Sequence, residues 1–134
     1  MIARMTLLEP RDNPWRRPQA APRPADLCWL LEEGAAAAFG VPAKELRRRS
    51  RRGAPAAFAR QSAMYLAHVV LGLNYREVGE LFRRDPTTAS YACRLVEDRR
   101  DDPAIDSRLD MLEGFCADVV TRLYAPRVAP KASQ

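Results

Sequence analysis

The sequence has few of the features that are typical of a disulfide-bonded or metal-binding domain. Its three cysteines, Cys28, Cys93 and Cys116, are widely spaced, odd in number and include no Cys-x-x-Cys pair. A disulfide framework needs paired cysteines and a structural zinc site needs closely spaced ligands, so the pattern favours neither. We expect the three thiols to be small apolar core residues in a reducing cytoplasm.

Features typical of an enzyme are also scarce. The six glycines never form a phosphate-binding loop followed by Lys-Ser or Lys-Thr, so nothing indicates an ATPase module or a bound nucleotide. The lone His68 lies in an apolar segment with no nucleophile at a known spacing, which favours a hydrogen-bonded core histidine. Asp101 and Asp102 follow two arginines and precede Pro103, a pattern typical of a solvated helix end. We predict a protein that is not an enzyme and that uses no cofactor or metal ion.

Long apolar runs and alternating β-patterns are missing as well. No stretch approaches the roughly 20 apolar residues that cross a bilayer, and residues 1–10 lack the apolar run of a secretory signal. Apolar residues instead recur at spacings of three and four. We therefore expect an all-α, cytoplasmic protein without a membrane partner.

The chain divides into three parts by composition. Residues 1–24 hold five prolines and five arginines with little periodic apolar content, which predicts a flexible arm. Such an arm either adds phosphate contacts or is a plain tail. Residues 25–124 are expected to form one helical domain, and residues 125–134 a second flexible tail.

Five to six helices are expected in this domain. Asp26 is predicted to cap the first and Gly40 to end it, and a short helix follows Pro42. The segment from Pro55 to Leu71 is apolar on almost every side, which predicts a central buried helix. The last helix is expected at about residues 102–124. Its residues predicted to face the core are Ile105, Leu109, Leu112, Phe115 and Val119.

The most informative stretch is Phe82-Arg83-Arg84-Asp85-Pro86-Thr87-Thr88. Asp85 can cap a helix by accepting a hydrogen bond from a backbone N–H, and Pro86 fits the first helical position. The preceding helical segment leaves only two arginines for the connection, so the two helices must cross steeply. The spacing fits a helix-turn-helix at about residues 74–98, and equally an ordinary helical hairpin with a charged turn.

The helix that begins at Pro86 has two contrasting faces. About 100° per residue places Thr87, Tyr91, Arg94 and Asp98 on one polar stripe. The opposite, core-facing stripe consists of Ala89, Ala92, Cys93 and Val96. A polar stripe of this kind could lie in a major groove of DNA.

Charge is distributed unevenly around this helix. The net charge of the chain is +5, and the segment 44–60 carries seven basic residues against one acid, a local charge of +6. The segment 97–113 carries seven acids against three arginines, a local charge of −4. The basic segment favours an anionic partner, and a separate acidic surface follows the proposed recognition helix.

Four ordered segments carry a family resemblance. They are Ala59-Arg60-Gln61-Ser62-Ala63-Met64-Tyr65-Leu66-Ala67, Val78-Gly79-x-x-Phe82, Arg84-Asp85-x-Thr87-Thr88 and Ala92-Cys93-Arg94. Over roughly residues 28–115 the chain resembles the C-terminal DNA-binding domain of the bacterial replication initiator DnaA. It is most similar to small stand-alone relatives of that domain in α-proteobacteria. The resemblance implies a small helical, Trp-repressor-like fold with one helix in the major groove and a basic loop at the minor groove.

The resemblance also implies roles for individual residues. Base contact falls on Asp85, Thr87 and Thr88, since a Thr methyl can pack on thymine and an Asp can accept from cytosine N4. Arg84 and Arg94 would hold phosphates. The minor-groove arginine would be one of three in the basic loop, and which one is left open. The full predicted DNA-binding set is Arg49, Arg51, Arg52, Arg60, Arg84, Asp85, Thr87, Thr88, Tyr91 and Arg94.

Three positions depart from the family pattern. Pro86 and Tyr91 stand where the initiator has histidines, and Arg83 stands where the family normally has glycine. We therefore predict that affinity for DNA remains but that the preferred sequence is not the initiator's own box.

A domain without an ATPase module cannot melt an origin by itself. We therefore expect a non-enzymatic regulator of transcription or replication initiation that is associated with the nucleoid and has double-stranded DNA as its partner. The alternative is an interaction module that kept the fold and lost DNA readout. It would bind another protein through the acidic last helix or through the altered face at Pro86 and Tyr91.

Overall fold

The described part of the computed structural model, residues 23–47 and 53–124, consists of six α-helices joined by short connections, with no strand. The helices are α1 (Pro24–Phe39), α2 (Ala43–Arg47), α3 (Gly53–Val69), α4 (Tyr75–Phe82), α5 (Pro86–Arg99) and α6 (Pro103–Tyr124). The all-α class is therefore confirmed. The division of the chain into arm, domain and tail stays a prediction, because residues 1–22 and 125–134 lie outside this part. No helix in it is both long and apolar enough to cross a bilayer.

The two ends of α1 test two sequence predictions. Gly40 ends the helix as expected, in the left-handed conformation with φ 67°. The predicted cap at Asp26 is wrong, because the helix already begins at Pro24 and the capping position is Arg23. The Asp26 carboxylate instead accepts two hydrogen bonds of 3.1 Å from the Arg23 guanidinium.

Helix α3 lies at the centre of the molecule, as its apolar sequence predicts. It packs against α1 on one side and α5 on the other, and it also contacts α2, α4 and α6. Burial of its apolar side chains provides the main driving force for assembling these helices. The α3 residues in the two core clusters are Phe58, Ala59, Ala63, Met64, Tyr65, Leu66 and Ala67.

Helix α6 packs on α1 with a different residue inward than predicted. Leu109 and Leu112 are buried and Ile105 and Val119 are partly buried, but the inward placement of Phe115 is wrong, since it is 56% exposed. Cys116 takes the core position and is fully buried. Gly34 of α1 lies so close that an added Cβ would be 3.5 Å from the Cys116 sulfur.

Two of the three cysteines are core residues. Cys93 and Cys116 are buried, Cys28 is half-buried, and all three are free thiols. Burial raises the pKa of the Cys93 and Cys116 thiols to about 11. At neutral pH both are therefore protonated and act as small apolar side chains, as predicted.

Arg100 joins the end of α5 to α6 and α3. Its guanidinium donates to Asp106 at 2.6 Å, to Asp110 and to Glu113, and to the Tyr65 hydroxyl at 3.0 Å. Burial opposes the charged form, but the hydrogen bonds to Asp106, Tyr65 and Glu113 outweigh it and raise the pKa of Arg100. Three of the seven acids in the acidic segment thus neutralise one arginine within the fold.

Candidate nucleic-acid interface

The first helix of the helix-turn-helix, α4, has a well-defined start. Asn74 caps it by accepting a 2.9 Å hydrogen bond from the Glu77 N–H, while the Glu77 side chain accepts one of 2.9 Å from the Asn74 N–H. This reciprocal pair is a capping box. His68 lies just before it, with Nδ1 2.7 Å from the Leu73 carbonyl oxygen and its ring stacked on Tyr75. His68 is thus hydrogen-bonded as predicted, but it is only partly buried and lies at the edge of the core.

Gly79 lets α4 cross the start of α5 closely. A Cβ at this position would lie 2.5 Å from the carbonyl oxygen of Arg84, which is closer than real Cβ atoms approach. The Gly79 carbonyl oxygen accepts a 2.7 Å hydrogen bond from the Arg84 N–H. The turn is therefore packed directly on the helix that precedes it. The glycine in the quoted Val78-Gly79 motif was the sequence signal for this contact.

The connection between the two helices contains a strained residue. Arg83 has φ 59° and ψ 48°, the left-handed region that L-residues other than glycine adopt at a cost of about 1–2 kcal/mol. It occupies the position where the resemblance implies a glycine. The turn therefore holds an arginine in a backbone conformation that favours glycine.

The second helix, α5, starts as the sequence predicts. The Asp85 side chain accepts a 2.9 Å hydrogen bond from the Thr87 N–H, and Pro86 is the first helical residue. The backbone and side-chain hydrogen bonds from Thr87 lower the pKa of the exposed Asp85 carboxyl below its usual value. Asp85 is therefore ionised at neutral pH.

The two predicted faces of α5 are confirmed. Ala89, Ala92, Cys93 and Val96 are buried against the core. The opposite stripe is open to solvent, with Tyr91 57% exposed. Its exposed members are Thr87, Thr88, Tyr91, Arg94 and Asp98.

A cleft of about 500 Å³ lies between α5, the turn and α3. It brings together five members of the predicted DNA-binding set: Arg60, Arg84, Thr87, Thr88 and Tyr91. Arg60 is 9% exposed and contributes to the floor of the cleft, whereas Arg84 is half-buried in its wall. Gln61 also lines the cleft and was not predicted, although a polar residue in an otherwise apolar helix could have revealed it.

The structure describes only part of the basic segment 44–60. Arg49, Arg51 and Arg52 lie outside the described residues. Arg47, the last described residue before them, donates to Glu32 at 2.9 Å and to Glu33 at 3.0 Å. At least one of the seven cations in the basic segment is therefore neutralised within the fold.

Arg84 and Arg94 differ from Arg47 in this respect. Neither forms an ion pair with any carboxylate of residues 23–47 or 53–124. The same part of the chain contains no group of three or more His, Cys, Asp or Glu side chains that could hold a metal ion. Cations without internal partners beside an exposed polar helix form a surface suited to an anionic ligand.

The geometry of α4, the turn and α5 defines a helix-turn-helix domain, with a steep crossing at Gly79 and an exposed second helix. Residues 32–96 match the family model of the bacterial DnaA protein helix-turn-helix. The matched segment is thus similar to the DnaA C-terminal helix-turn-helix domain, a family that suggests DNA binding. No curated protein sequence matches the chain significantly.

Proposed function

We propose that this chain binds double-stranded DNA through α5 and acts as a non-enzymatic regulator of transcription or replication initiation. The observation that carries the proposal is the exposed stripe of Thr87, Thr88, Tyr91 and Arg94, which begins at the capped start of a helix. The first turn of a helix also presents backbone N–H groups and the positive end of the helix dipole, both of which favour phosphate.

The first turn of α5 would read bases. Thr87 and Thr88 are exposed side by side, and each methyl group can pack on a thymine methyl in the major groove. Asp85 uses one carboxylate oxygen for the cap, so the other can accept from a cytosine amino group. Capping and readout would then share one side chain, which fixes the orientation of the carboxylate.

Phosphate contacts would flank these residues. Arg84 precedes the helix and Arg94 lies two turns into it, about 10 Å along the axis from Thr87. Such contacts set the register of a protein on DNA but carry no sequence information. The loop residues Arg49, Arg51 and Arg52 are proposed to add contacts at the minor groove.

The altered residues of α5 would change the preferred sequence. Pro86 has no side-chain donor or acceptor, and the exposed Tyr91 offers a hydroxyl and a large apolar ring. The bases that the two histidines of the initiator would contact therefore meet different side chains in this protein. We propose that the protein does not select the initiator's own box over other duplexes.

Fluorescence anisotropy with labelled duplexes tests the proposal. Thr87→Ala and Thr88→Ala should each weaken binding by about 1–3 kcal/mol, at one base position only. Thr121→Ala is the matched control, because Thr121 is exposed on α6 away from the interface. The logarithm of affinity should fall with the logarithm of salt by about 0.9 per phosphate contact.

An interaction module without DNA readout is the second candidate. The internal pairing of Arg47 favours it, since it neutralises one of the seven basic residues in the segment 44–60. A folded protein that binds no duplex at low salt would support this candidate, and so would a binding constant that does not respond to salt. Strong selectivity for the initiator's box would contradict the proposed change in preference.

A further inference from the structure

Helix α6 carries an apolar stripe that the domain leaves uncovered. Met111 is 72% exposed and Phe115 is 56% exposed, and exposed Arg108 and Asp118 follow at the two ends of the same stripe. The four residues are spaced by three, four and three positions, which is the spacing of a seam that faces another helix.

The surface beside this stripe allows a close approach. Gly34, Ala37 and Ala38 of α1 line a groove of about 530 Å³ together with Met111 and Phe115. Side chains this small let a second helix pack near the backbone, with a large ring such as that of phenylalanine filling the groove. The groove shares no residue with the cleft that is lined by Thr87, Thr88 and Tyr91.

The charge pattern of the stripe identifies its partner. We infer that the stripe binds the same stripe of a second copy of this chain, with the two α6 helices antiparallel about a two-fold axis near residue 113. In that register Met111 of each copy lies opposite Phe115 of the other, and Arg108 lies opposite Asp118. Two-fold symmetry then repeats every contact, as an isologous interface requires.

Charge also excludes the parallel arrangement. Parallel helices would place Arg108 against Arg108 and Asp118 against Asp118, which repels at both ends. In the antiparallel register the same residues attract at both ends. Asp118 contacts Arg122 of its own helix through one oxygen at 3.0 Å, which leaves its other oxygen for the second copy. Arg108 has no carboxylate partner among the described residues.

This inference goes beyond the proposed function and is independent of it, because the stripe and the DNA-facing stripe are different surfaces. Dimerisation would hold two α5 helices at a fixed separation. A dimer of helix-turn-helix domains binds paired half-sites whose spacing is set by that separation. A monomer binds a single site.

Analytical ultracentrifugation of the full chain over about 1–300 µM tests the dimer. We expect a mass that rises from the 15.1 kDa of the chain to twice that value with concentration. Phe115→Glu should raise the dissociation constant at least about tenfold, because it buries a charge at the centre of the interface. Ala117→Glu is the matched control, since it adds the same charge on the exposed opposite side of α6 and should leave the dimer unchanged.

A charge exchange tests the register. Arg108→Glu and Asp118→Arg should each weaken the dimer about three- to tenfold, and the double variant should return to within about threefold of the unsubstituted chain. All substituted residues are exposed, and circular dichroism checks that each variant folds. A chain that stays monomeric at 300 µM overturns the inference, as does a dimer unaffected by Phe115→Glu. A double variant as weak as the single ones overturns the antiparallel register. None of these results depends on whether DNA binds.

Discussion

The arginines in and before the first part of α5 and the arginine at its end differ in whether they pair with carboxylates of the fold. Arg84, just before the helix, and Arg94, two turns into it, have no carboxylate partner within the described residues, and the turn before the helix is strained at Arg83. At its end, Arg100 is held by three carboxylates of α6 and by the Tyr65 hydroxyl. One end therefore leaves positive charge available to a ligand, and the other uses it to fix the helix.

A count of charges along the sequence does not reveal this difference between the arginines. The segments around both ends of α5 contain arginines, but only tertiary contacts decide whether a guanidinium is available for phosphate. Salt bridges within the fold occupy Arg47 and Arg100, whereas Arg94, a member of the predicted DNA-binding set, forms none with a described carboxylate. Substitutions at the two ends should accordingly affect different measurements.

Gly79→Ala should have the largest effect and should break the start of α5. The added Cβ would lie 2.5 Å from the Arg84 carbonyl oxygen, so the turn must shift, at a cost of about 3 kcal/mol in the free energy of unfolding. Gly114→Ala is the control, because a Cβ there meets nothing within 4 Å and should stabilise α6 by about 0.5–1 kcal/mol. Urea unfolding measures both. Equal effects of the two changes would mean that the close crossing does not exist.

Arg100→Met should weaken the contact between the C-terminal end of α5 and helix α6. The side chain is 17% exposed, and its removal leaves Asp106, Asp110 and Glu113 without their shared cation. We expect a loss of about 2 kcal/mol in the free energy of unfolding, reduced from the value for a fully buried pair because the carboxylates are partly solvated. Affinity for duplex DNA at a temperature where the variant is folded should not change. A large loss of affinity in the folded variant would contradict the division between the two ends.

Arg94→Ala should show the reverse pattern. Because Arg94 is exposed and pairs with no carboxylate in the described part of the chain, the free energy of unfolding should change by less than about 0.5 kcal/mol. Affinity for duplex should fall across many sequences, and the salt slope should decrease by about 1. Arg122→Ala on α6 removes an exposed arginine that contacts Asp118 and should leave the salt slope unchanged. Identical salt slopes for both variants would remove Arg94 from the interface.

Arg83→Gly should have the smallest effect, a gain. Glycine adopts φ 59° without a Cβ penalty, so the variant should be more stable by about 1 kcal/mol or less, the rest being offset by the added freedom of the unfolded chain. Gly72→Ala is the converse test, since Gly72 has φ 71° and open space around it, and should be destabilised by a similar amount. Thermal unfolding compares the two. A destabilised Arg83→Gly variant would show that the arginine side chain makes a contact worth more than the strain.

Much of the fold could be predicted because its signals are local. Asn74, Asp85 and Pro86 start helices, and Gly40 and Gly72 adopt the left-handed conformation at helix ends, each through neighbours within a few residues. The alternation of buried and exposed faces on α5 follows from helical geometry alone.

The errors arise where a distant or competing residue decides. Asp26 failed as a cap because a start two residues earlier was available and Arg23 bound its carboxylate. Phe115 failed as a core residue because the next residue, Cys116, takes the buried position that faces Gly34 of α1, which leaves Phe115 exposed. The pairing of Arg47 with Glu32 spans 15 residues, so no local pattern indicates it. The sequence predicted that Thr87, Tyr91 and Arg94 lie on the polar face of α5, and all three are exposed there. Their binding to DNA stays a prediction.

The stacking of His68 on Tyr75 supplies the molecule with an internal spectroscopic reporter. The chain has one histidine, so its ring gives a single set of aromatic proton resonances that needs no isotope labelling to assign. With the two ring centroids 4.7 Å apart, the tyrosine ring current displaces those resonances from their free-solution positions. Proton NMR of the unmodified protein can therefore follow how firmly α4 is seated on α3, before and after duplex is added.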